Sequence, residues 1–257
     1  MTNLNYDEAA VAREEANYQT ATARARRAFV REQLNLKSGE SVLSIGCGPG
    51  FEPSELASQT NASRVLGVDS NPAMLAVSRD RCPDAVSLLR GDATSIPVAD
   101  GSVETAVSVQ VYEYIDDIDA ALSELHRVLD SDGRAVIYAT DWESLVWRVR
   151  NSARSNRVLS AWNEHCSHPH LGSTLEPKLR AASFDVTDIV PYTLLLTELG
   201  QDSFAYYLLA SIREFVTPRL GAEVARQWAE DVRTRDRRSE SFFSLTQFCY
   251  LVEPVDE

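Results

Sequence analysis

The feature that most constrains the fold of this chain is the alternation of short apolar runs with helical segments between residues 41 and 139. The first run, Ser41 to Ile45, is partly β-branched and is followed by Gly46, which is typical of a buried strand in a parallel sheet. The same pattern predicts strands at 41–45, 64–68, 85–89, 105–109 and 134–139 and helices at 52–59, 72–79 and 117–129. Strands that alternate with helices form an open α/β sheet.

Helical segments flank this alternation. Residues 6–35 carry apolar side chains at helical spacing without Pro or Gly, and they predict one or two helices before the first strand. After residue 140 the patterns predict a helical stretch from Trp142 to Cys166, a helix from Thr174 to Ser183 and a strand from Asp185 to Leu196.

A region of dense apolar and aromatic residues at helical spacing, 201–236, separates this strand from a last strand at Phe242 to Val252. A helical insertion between the last two strands of a sheet predicts a cap over that sheet. We therefore divide the chain into three parts: an N-terminal helical lid at 1–37, a sheet domain at 38–198 and 240–257, and a helical cap at 199–239.

The composition excludes several partners. With 25 Lys and Arg against 38 Asp and Glu, the formal net charge is −13, which argues against binding that depends on many basic contacts to nucleic-acid phosphates. No apolar run approaches the roughly 18–20 residues that span a membrane, and the amino terminus has no basic start before an apolar stretch. We expect a cytoplasmic protein with reduced cysteines and a small-molecule partner. Its oligomeric state is not predictable from these patterns.

The loop after the first strand reads Gly46-Cys47-Gly48-Pro49-Gly50-Phe51. Its glycines allow the backbone to approach a ligand closely, and the helix that follows offers unpaired N–H groups. The dinucleotide fingerprint GxGxxG would need glycine at position 51, where the chain has Phe51. The sequence is GxGxG instead, and this spacing resembles the first motif of class I S-adenosylmethionine-dependent methyltransferases.

Later residues fall where that family places its other motifs. Asp69 ends the second strand, where an acidic side chain can accept both ribose hydroxyls, and Gly91-Asp92-Ala93 follows the third strand. In the family this second Asp faces the adenine amino group while its neighbour's backbone N–H meets the ring. Arg127-Val128-Leu129 and Gly133 match a later signature, although Asp130-Ser131-Asp132 replaces the more usual Lys-Pro-Gly in that surface turn.

The resemblance covers residues 38–140 closely and is most like the small-molecule branch that includes ubiquinone/menaquinone-type methyltransferases. It implies a Rossmann-like, seven-stranded, mostly parallel sheet whose last strand is antiparallel, with S-adenosylmethionine as cofactor. It assigns cofactor binding to residues of the glycine loop, of the ends of the next strands and of the N-terminal helices: Gly46, Cys47, Gly48, Gly50, Asp69, Ser70, Met74, Asp92, Ala93, Gln110 and Tyr18. The alternative for Tyr18 is ordinary helix packing, and Tyr6 is a second aromatic in that N-terminal segment.

Methyl transfer from a sulfonium is an in-line displacement, so the protein mainly supplies alignment and desolvation. A general base is needed only if the acceptor holds a proton at neutral pH. Tyr112, after the fourth strand, is one candidate, with loop packing as the alternative. The segment His165-Cys166-Ser167-His168-Pro169-His170 holds three of the four histidines, and imidazole titrates near neutrality. We predict His165, His168 and Tyr112 as catalytic residues and no metal site, against the alternatives of a metal site or a polar loop.

The predicted acceptor is a small, partly apolar or aromatic molecule, provided that the cap aromatics Phe204, Tyr206 and Tyr207 line the pocket rather than the core. An arsenite-type enzyme would need converging thiols, for which Cys82 and Cys166 are the available pair. The same motifs would also suit an enzyme of this fold that acts on protein or RNA, or a non-catalytic module that keeps the cofactor for structure or sensing.

Overall fold

The computed structural model describes residues 8–255, with side chains from residue 12 onward. Nine α-helices are described in this part of the chain: α1 Glu8–Tyr18, α2 Ala21–Leu34, α3 Phe51–Gln59, α4 Pro72–Arg81, α5 Ile118–Val128, α6 Ser152–Trp162, α7 Leu171–Ala181, α8 Phe204–Leu220 and α9 Ala222–Arg237. Eight strands form one sheet: β1 Ser41–Ile45, β2 Arg64–Asp69, β3 Val86–Arg90, β4 Val103–Val109, β5 Leu129–Thr140, β6 Val146–Trp147, β7 Phe184–Leu196 and β8 Phe243–Pro254.

The sheet has β1 at its centre. β3, β2, β1, β4 and β5 lie side by side and parallel, with Val42 opposite Val65 on one side and Thr105 on the other. β8 pairs antiparallel with both β5 and β7, so it lies between them. The predicted mostly parallel sheet with an antiparallel last strand is confirmed. The two-residue β6, which pairs with β8 beyond the end of β5, is an addition to it.

Alternate residues of the central strands are buried on opposite faces of the sheet. Leu43 and Ile45 pack with α5 and α7 in one core, whereas Val42 packs with residues of α2 and α3 in another. All five residues of β1 are buried, as expected of a parallel strand that is covered by helices on both faces. Helices cover both faces of the sheet, so the loops that follow β1 to β4 lie together at the edge where these strands end.

The segment from Trp142 to Cys166 is not the single helical stretch that the sequence predicted. It contains a 3-10 turn at Trp142–Ser144, the strand β6, the helix α6 and a second 3-10 turn at Asn163–His165. The physical reason is that Val146 and Trp147 pair with β8, and the side chain of Asn151 then caps a new helix by accepting a hydrogen bond from Arg154 N.

A third core joins α6, α8, α9 and the start of β8. The predicted helical region at 201–236 is two helices, because Gly221 at φ +91° ends α8. Val158 and Trp162 of α6 pack into the core of α8 and α9, although the sequence grouped α6 with the sheet domain. The division into lid, sheet domain and cap stays a prediction.

The N-terminal helices contact this helical region. Asp202 accepts a hydrogen bond from Ala21 N at 2.9 Å, and Phe204 N donates to Thr22 Oγ1 at 2.7 Å. Within residues 8–255, no helix combines the length and the apolar character that crossing a membrane requires.

Candidate functional site

A cavity of about 710 Å³ lies at the carboxyl ends of β1, β2, β3 and β4. Nine of the eleven residues assigned to cofactor binding contribute to its wall: Gly46, Gly48, Asp69, Ser70, Met74, Asp92, Ala93, Gln110 and Tyr18. The remaining two, Cys47 and Gly50, lie outside the wall. Tyr6 lies outside the described residues.

Two glycines set the shape of the loop. Gly46 has φ +64°, and a Cβ there would clash with both methyl groups of Val111, two residues after the end of β4. Gly50 has φ +83° and leads directly into α3, where a Cβ would clash with Ser78 of α4. The glycines therefore let the loop pack against two neighbouring elements, which a residue with a side chain would prevent.

Asp69 links the glycine loop to α4. Its Oδ2 accepts a hydrogen bond from Gly48 N at 2.8 Å, and its Oδ1 accepts one from Asn71 N at 2.8 Å. Asn71 in turn caps α4 by accepting from Ala73 N at 2.9 Å. Burial raises the pKa of Asp69 above its ordinary value. Each carboxylate oxygen keeps a second lone pair, so Asp69 can also accept hydrogen bonds from ligand hydroxyls.

Asp92 follows β3 and is exposed at the cavity wall. Its Oδ1 accepts hydrogen bonds from Thr94 N at 2.9 Å and from Thr94 Oγ1 at 2.8 Å, which fixes the turn. A role in the turn and a role in ligand binding are compatible for Asp92, since the side chain can serve both from one position.

Tyr18, at the end of α1, covers the glycine loop. Its ring stacks on Phe51 at 5.8 Å between centroids, and its hydroxyl would lie 3.8 Å from a Cβ at Gly48. Desolvation raises the pKa of Tyr18 to about 12, so it stays protonated at neutral pH.

Gln110 has a left-handed backbone, φ +55°, and its side chain belongs to a buried polar network. Its Nε2 donates to Thr140 Oγ1 at 2.8 Å, and its Oε1 accepts a hydrogen bond from Arg26 Nη1. Thr140 Oγ1 also accepts from Gln247 Nε2 at 3.0 Å. A non-glycine residue at positive φ beside a cavity marks a position that the surrounding contacts hold in place.

Arg26 was not among the residues predicted from the sequence. It lies on the buried face of α2 together with Ala23, Arg27, Val30 and Leu34, and only about 5% of Arg26 is exposed. Residues spaced three and four apart share one face of a helix, and this face is turned to the core. The helical period therefore indicated that Arg26 is buried, but a charged residue is not expected in such a position.

Glu113 is buried and stands directly before Tyr114, a residue of the cavity wall. Its Oε1 accepts a hydrogen bond from Thr140 N at 2.7 Å, whereas its Oε2 has no partner among the described residues. Desolvation raises the pKa of Glu113 to about 7. Near neutral pH this carboxyl group is therefore partly protonated.

The structure does not place the three predicted catalytic residues on the cavity wall. Tyr112 and His165 are fully buried, and His168 Nε2 lies 2.9 Å from Ile115 O. The ring of His165 stacks on Trp162 at 3.8 Å, and its Nδ1 donates to Trp162 O at 2.6 Å. Desolvation lowers the pKa of His165 to about 4, so this imidazole stays neutral. The catalytic role of these residues stays a prediction.

Tyr114 connects the histidine segment to the cavity. It contributes to the wall, and its hydroxyl lies 3.4 Å from His165 Nε2. Nδ1 of His165 carries the hydrogen that it donates to Trp162 O, so Nε2 accepts the hydrogen bond from the Tyr114 hydroxyl. Tyr112, the tyrosine predicted as catalytic, stands two residues before Tyr114 and does not line the cavity.

The cap aromatics and the cysteines lie elsewhere. Phe204 is buried in the core of α8 and α9, and neither Tyr206 nor Tyr207 lines the cavity. None of the four cysteines lines it either. Within the described chain, no group of three or more His, Cys, Asp or Glu side chains is placed to hold a metal ion.

The charged side chains of the wall are all acidic. Of the described residues, Glu14, Asp69, Asp92, Asp116 and Asp117 line the cavity, and no Lys or Arg does. A wall of this kind favours positively charged or neutral ligands over anions.

Comparison with known proteins finds a family model and relatives that match part of the chain. Residues 43–137 match the family described as a methyltransferase domain. An uncharacterized 37.1 kDa protein in transposon TN4556 of Streptomyces fradiae is 37% identical over 182 residues, which cover 68% of this chain and 52% of that protein. A ubiquinone/menaquinone biosynthesis C-methyltransferase, UbiE, of Citrifermentans bemidjiense is 34% identical over 118 residues, which cover 43% of this chain and 50% of that protein.

The fold has relatives among solved structures. The [4+2]-cyclase SpnF superposes with a TM-score of 0.59 at 22% sequence identity, over 91% of this chain and 82% of the cyclase. At that identity the likeness concerns the fold alone. The chain spans about half the length of the curated relatives that it matches.

Proposed function

We propose, on the premise that this chain contains a class I methyltransferase domain, that it transfers a methyl group from S-adenosylmethionine to a small molecule. The observation that carries this proposal is the convergence of the glycine loop, Asp69 and Asp92 on one cavity at the carboxyl ends of neighbouring strands. Ligands of open α/β sheets bind at this edge.

Different wall residues hold different parts of the cofactor. Asp69 accepts the ribose hydroxyls with the lone pairs that Gly48 N and Asn71 N leave free. Asp92 and Ala93 meet the adenine ring, and Tyr18 and Met74 cover the ligand and exclude water. When bound, S-adenosylmethionine supplies a methyl group on a positively charged sulfur, and the acidic wall favours that charge.

The acceptor that fits this cavity is neutral or cationic and partly apolar. Its apolar wall comes from residues at the ends of β1 and β4 and from the turn that follows, among them Ile45, Val109, Val111 and Ile115. The acidic side chains around them oppose a phosphate or a free carboxylate. The chain's task is to align this acceptor and exclude water, since the leaving group is already activated.

Two of the residues predicted as catalytic, His165 and His168, fit a supporting role behind Tyr114. His165 is a weak base with a pKa of about 4, and its Nε2 fixes the Tyr114 hydroxyl at the wall. His168 N donates to Glu113 O at 2.9 Å and so holds the same turn. Within this proposal, Tyr114 is the member of the group that reaches the acceptor. An arsenite-type activity has no support, because no pair of thiols reaches the cavity.

Calorimetric titration with S-adenosylhomocysteine, with NAD as the control ligand, tests the proposal. We expect saturable one-to-one binding of S-adenosylhomocysteine alone. Asp69→Ala should weaken it at least tenfold, by roughly 1.4 kcal/mol or more, because the change removes a charged acceptor that also holds Gly48 N. Asp80→Ala, at an exposed position of α4, is the matched control and should leave affinity unchanged.

Two results would contradict the proposal: no binding by the wild-type protein, or equal affinity in Asp69→Ala and Asp80→Ala. A non-catalytic module would bind S-adenosylmethionine and never convert it to S-adenosylhomocysteine. Product formation is therefore measured next, with a set of neutral and cationic acceptors and with phosphorylated analogues as negative controls.

A further inference from the structure

Glu113 places one carboxyl oxygen in the protein interior without a partner. The residue is only about 1% exposed. Its Oε1 accepts a hydrogen bond from Thr140 N at 2.7 Å, whereas its Oε2 has no hydrogen-bond partner among the described residues. A buried carboxylate without a cation is costly, so such a group either holds a proton or pairs with a charge that the protein itself does not supply.

Hydrogen bonds join this carboxyl group to the cavity wall. Thr140, which binds Glu113 through its backbone N–H, accepts a hydrogen bond from Gln110 Nε2 at 2.8 Å with its hydroxyl oxygen. Gln110 lines the cavity, and so does Tyr114, the residue that follows Glu113. Two hydrogen bonds and one residue place the carboxyl group within roughly 8 Å of the Gln110 amide. Glu113 therefore lies close behind the wall but not on it.

Titratable and charged groups from three neighbouring elements interact with Glu113. Desolvation raises the pKa of Glu113 to about 7, against the charge of Arg26 from α2, which favours the ionised form. Tyr138 from β5 and Cys166 after α6 also interact with the carboxyl group. Burial raises the pKa of both, that of Cys166 to about 12, so both are neutral at pH 7. His168 donates its backbone N–H to Glu113 O at 2.9 Å.

The strand order brings the charged sulfur of a bound cofactor toward this part of the wall. Asp69 ends β2, the glycine loop follows β1 and Gln110 follows β4, and these strands lie side by side in that order. Neighbouring strands are about 4.8 Å apart, so β2 and β4 are roughly 10 Å apart. A ligand with its ribose at Asp69 extends along the glycine loop toward Gln110. Its sulfur then lies on the order of 10 Å from the Glu113 carboxyl group.

A positive charge at that distance changes the proton equilibrium of Glu113. With an effective dielectric constant of about 20, two unit charges about 10 Å apart change such an equilibrium roughly tenfold. Salt screens buried charges much less than exposed ones. Because Glu113 is partly protonated at neutral pH, a change of this size alters its charge at the pH where the protein works.

We propose that Glu113 releases its proton when the positively charged S-adenosylmethionine binds and takes up a proton when S-adenosylhomocysteine, whose sulfur is neutral, replaces it. The proton passes to and from the solvent, and the ionised carboxylate balances the charge of the sulfonium. This inference rests on the proposed function and adds to it a buried group that distinguishes the two forms of the cofactor. As the pH rises through neutrality, the protein should increasingly prefer S-adenosylmethionine.

Calorimetry in buffers of different ionisation enthalpy measures the protons that each ligand releases. At pH 7 we expect the wild-type protein to release about half a proton more on binding S-adenosylmethionine than on binding S-adenosylhomocysteine. Groups of the ligands themselves contribute equally in wild type and variant, so a change between the two proteins belongs to Glu113. Glu113→Gln should remove about half a proton from the difference, and an unchanged difference overturns the inference.

The ratio of the two affinities gives a second readout. Between pH 6 and pH 7.5 the preference of the wild-type protein for S-adenosylmethionine over S-adenosylhomocysteine should increase about fourfold. Glu113→Gln should lose this increase. If Glu113 only supported the wall, the variant would bind both ligands more weakly and would keep the wild-type pH dependence of the ratio, which would contradict the inference.

Glu52→Gln is the matched control. Burial also raises the pKa of Glu52 to about 7, but this residue lies on α3, 3.7 Å from Arg31, whose charge pairs with it. The variant should keep the wild-type proton difference. Glu14, a wall residue whose pKa burial also raises, is the competing group. If Glu14→Gln or Glu52→Gln removes the difference and Glu113→Gln does not, the inference is overturned.

The outcomes separate this inference from the function on which it depends. If neither ligand binds the wild-type protein, the proposed function fails and the inference fails with it. If both bind with equal proton exchange, the function stands and the inference alone fails. Should Glu113→Gln not fold, infrared spectra of the wild-type complexes decide the question. The absorption of a protonated carboxyl group should be weaker with S-adenosylmethionine than with S-adenosylhomocysteine, and equal absorption overturns the inference.

Discussion

Gly46 shows how one absent side chain sets the distance between the glycine loop and β4. Its positive φ already favours glycine. A Cβ at this position would in addition clash with Val111, which lines the same cavity. The clash with Val111 is the effect that would change ligand binding. The loop can move away from Val111 only by changing the shape of the cavity.

Gly46→Ala should therefore lower the free energy of unfolding by more than the positive φ of the backbone explains. Gly101 has a similar φ of +57° with nothing within 4 Å of a Cβ, so Gly101→Ala measures the backbone cost alone. We expect Gly46→Ala to lower the free energy of unfolding by about 1–3 kcal/mol more than Gly101→Ala, as for an overpacked site. It should also weaken S-adenosylhomocysteine at least tenfold.

Denaturant unfolding and calorimetry measure both effects. The double variant Gly46→Ala with Val111→Ala should recover most of the loss, because it removes the methyl groups in the way. Equal stability losses at Gly46 and Gly101 would show that no clash exists.

At the residue scale, local motifs were the predictable part of the site. The glycine loop, Asp69 and Asp92 stand at fixed distances from strand ends, so the sequence alone located them on the wall. Arg26 and Glu14 reach the site from the N-terminal helices, which pack there through contacts between residues far apart in sequence. A single sequence carries no direct signal for such contacts.

At the scale of elements, the histidine segment takes its environment from the helices around it. His165 ends a short turn after α6 and lies among Trp142, Trp162 and Phe215 of the third core. The sequence pattern suggested chemistry here because three histidines stand close together. It could not show that aromatic rings from α6 and α8 enclose the first of them.

His165→Ala should destabilise this region by roughly 2–5 kcal/mol, the range for truncating a large buried side chain. Thermal or denaturant unfolding measures the loss. His170→Ala, at a side chain that is about 40% exposed, is the control and should change stability little. Turnover by folded His165→Ala is compared with that of Tyr114→Phe. Normal turnover in both variants would remove His165 and Tyr114 from the mechanism.

The elements themselves followed their patterns with two exceptions. Strand and helix positions from β1 to β5 were predictable because each has its own period and boundary residues. The pairing of β6 with β8 was not, because two residues carry no period and their partner lies almost a hundred positions away. The end of α8 was predictable in principle, since Gly221 is a visible break in an otherwise continuous helical pattern.

At the scale of the whole molecule, buried carboxyl groups make stability depend on pH. The pKa of Glu113 and that of Glu52 are each raised to about 7 by burial, so the folded chain holds these protons more tightly than the unfolded chain does. Their stabilising contribution is fully present below an unfolded pKa of 4.5 and is lost as the pH rises to about 7. The hydrogen bond from Arg134 lowers the pKa of Glu40 to about 2. The stabilising contribution of Glu40 is therefore present above pH 4.5 and is lost as the pH falls below that value.

The free energy of unfolding should therefore decrease between about pH 5 and pH 7.5. Glu113→Gln, which keeps an oxygen for Thr140 N, should remove a part of that decrease on the order of 2–3 kcal/mol. Urea unfolding at a series of pH values measures the slope. Glu253→Gln, on β8 at an exposed position, is the control and should keep the wild-type slope. An unchanged slope in Glu113→Gln would mean that this carboxyl group is ionised throughout.

The position of β8 between β5 and β7 has a consequence for how the chain is made. The ribosome releases β5 and β7 before β8, so for part of synthesis both strands have an open edge that only a later segment will cover. Open edges attract other strands, including those of neighbouring nascent chains. The five parallel strands can assemble early, while completion of the sheet waits for β8, and this interval is when the nascent protein is most exposed to aggregation.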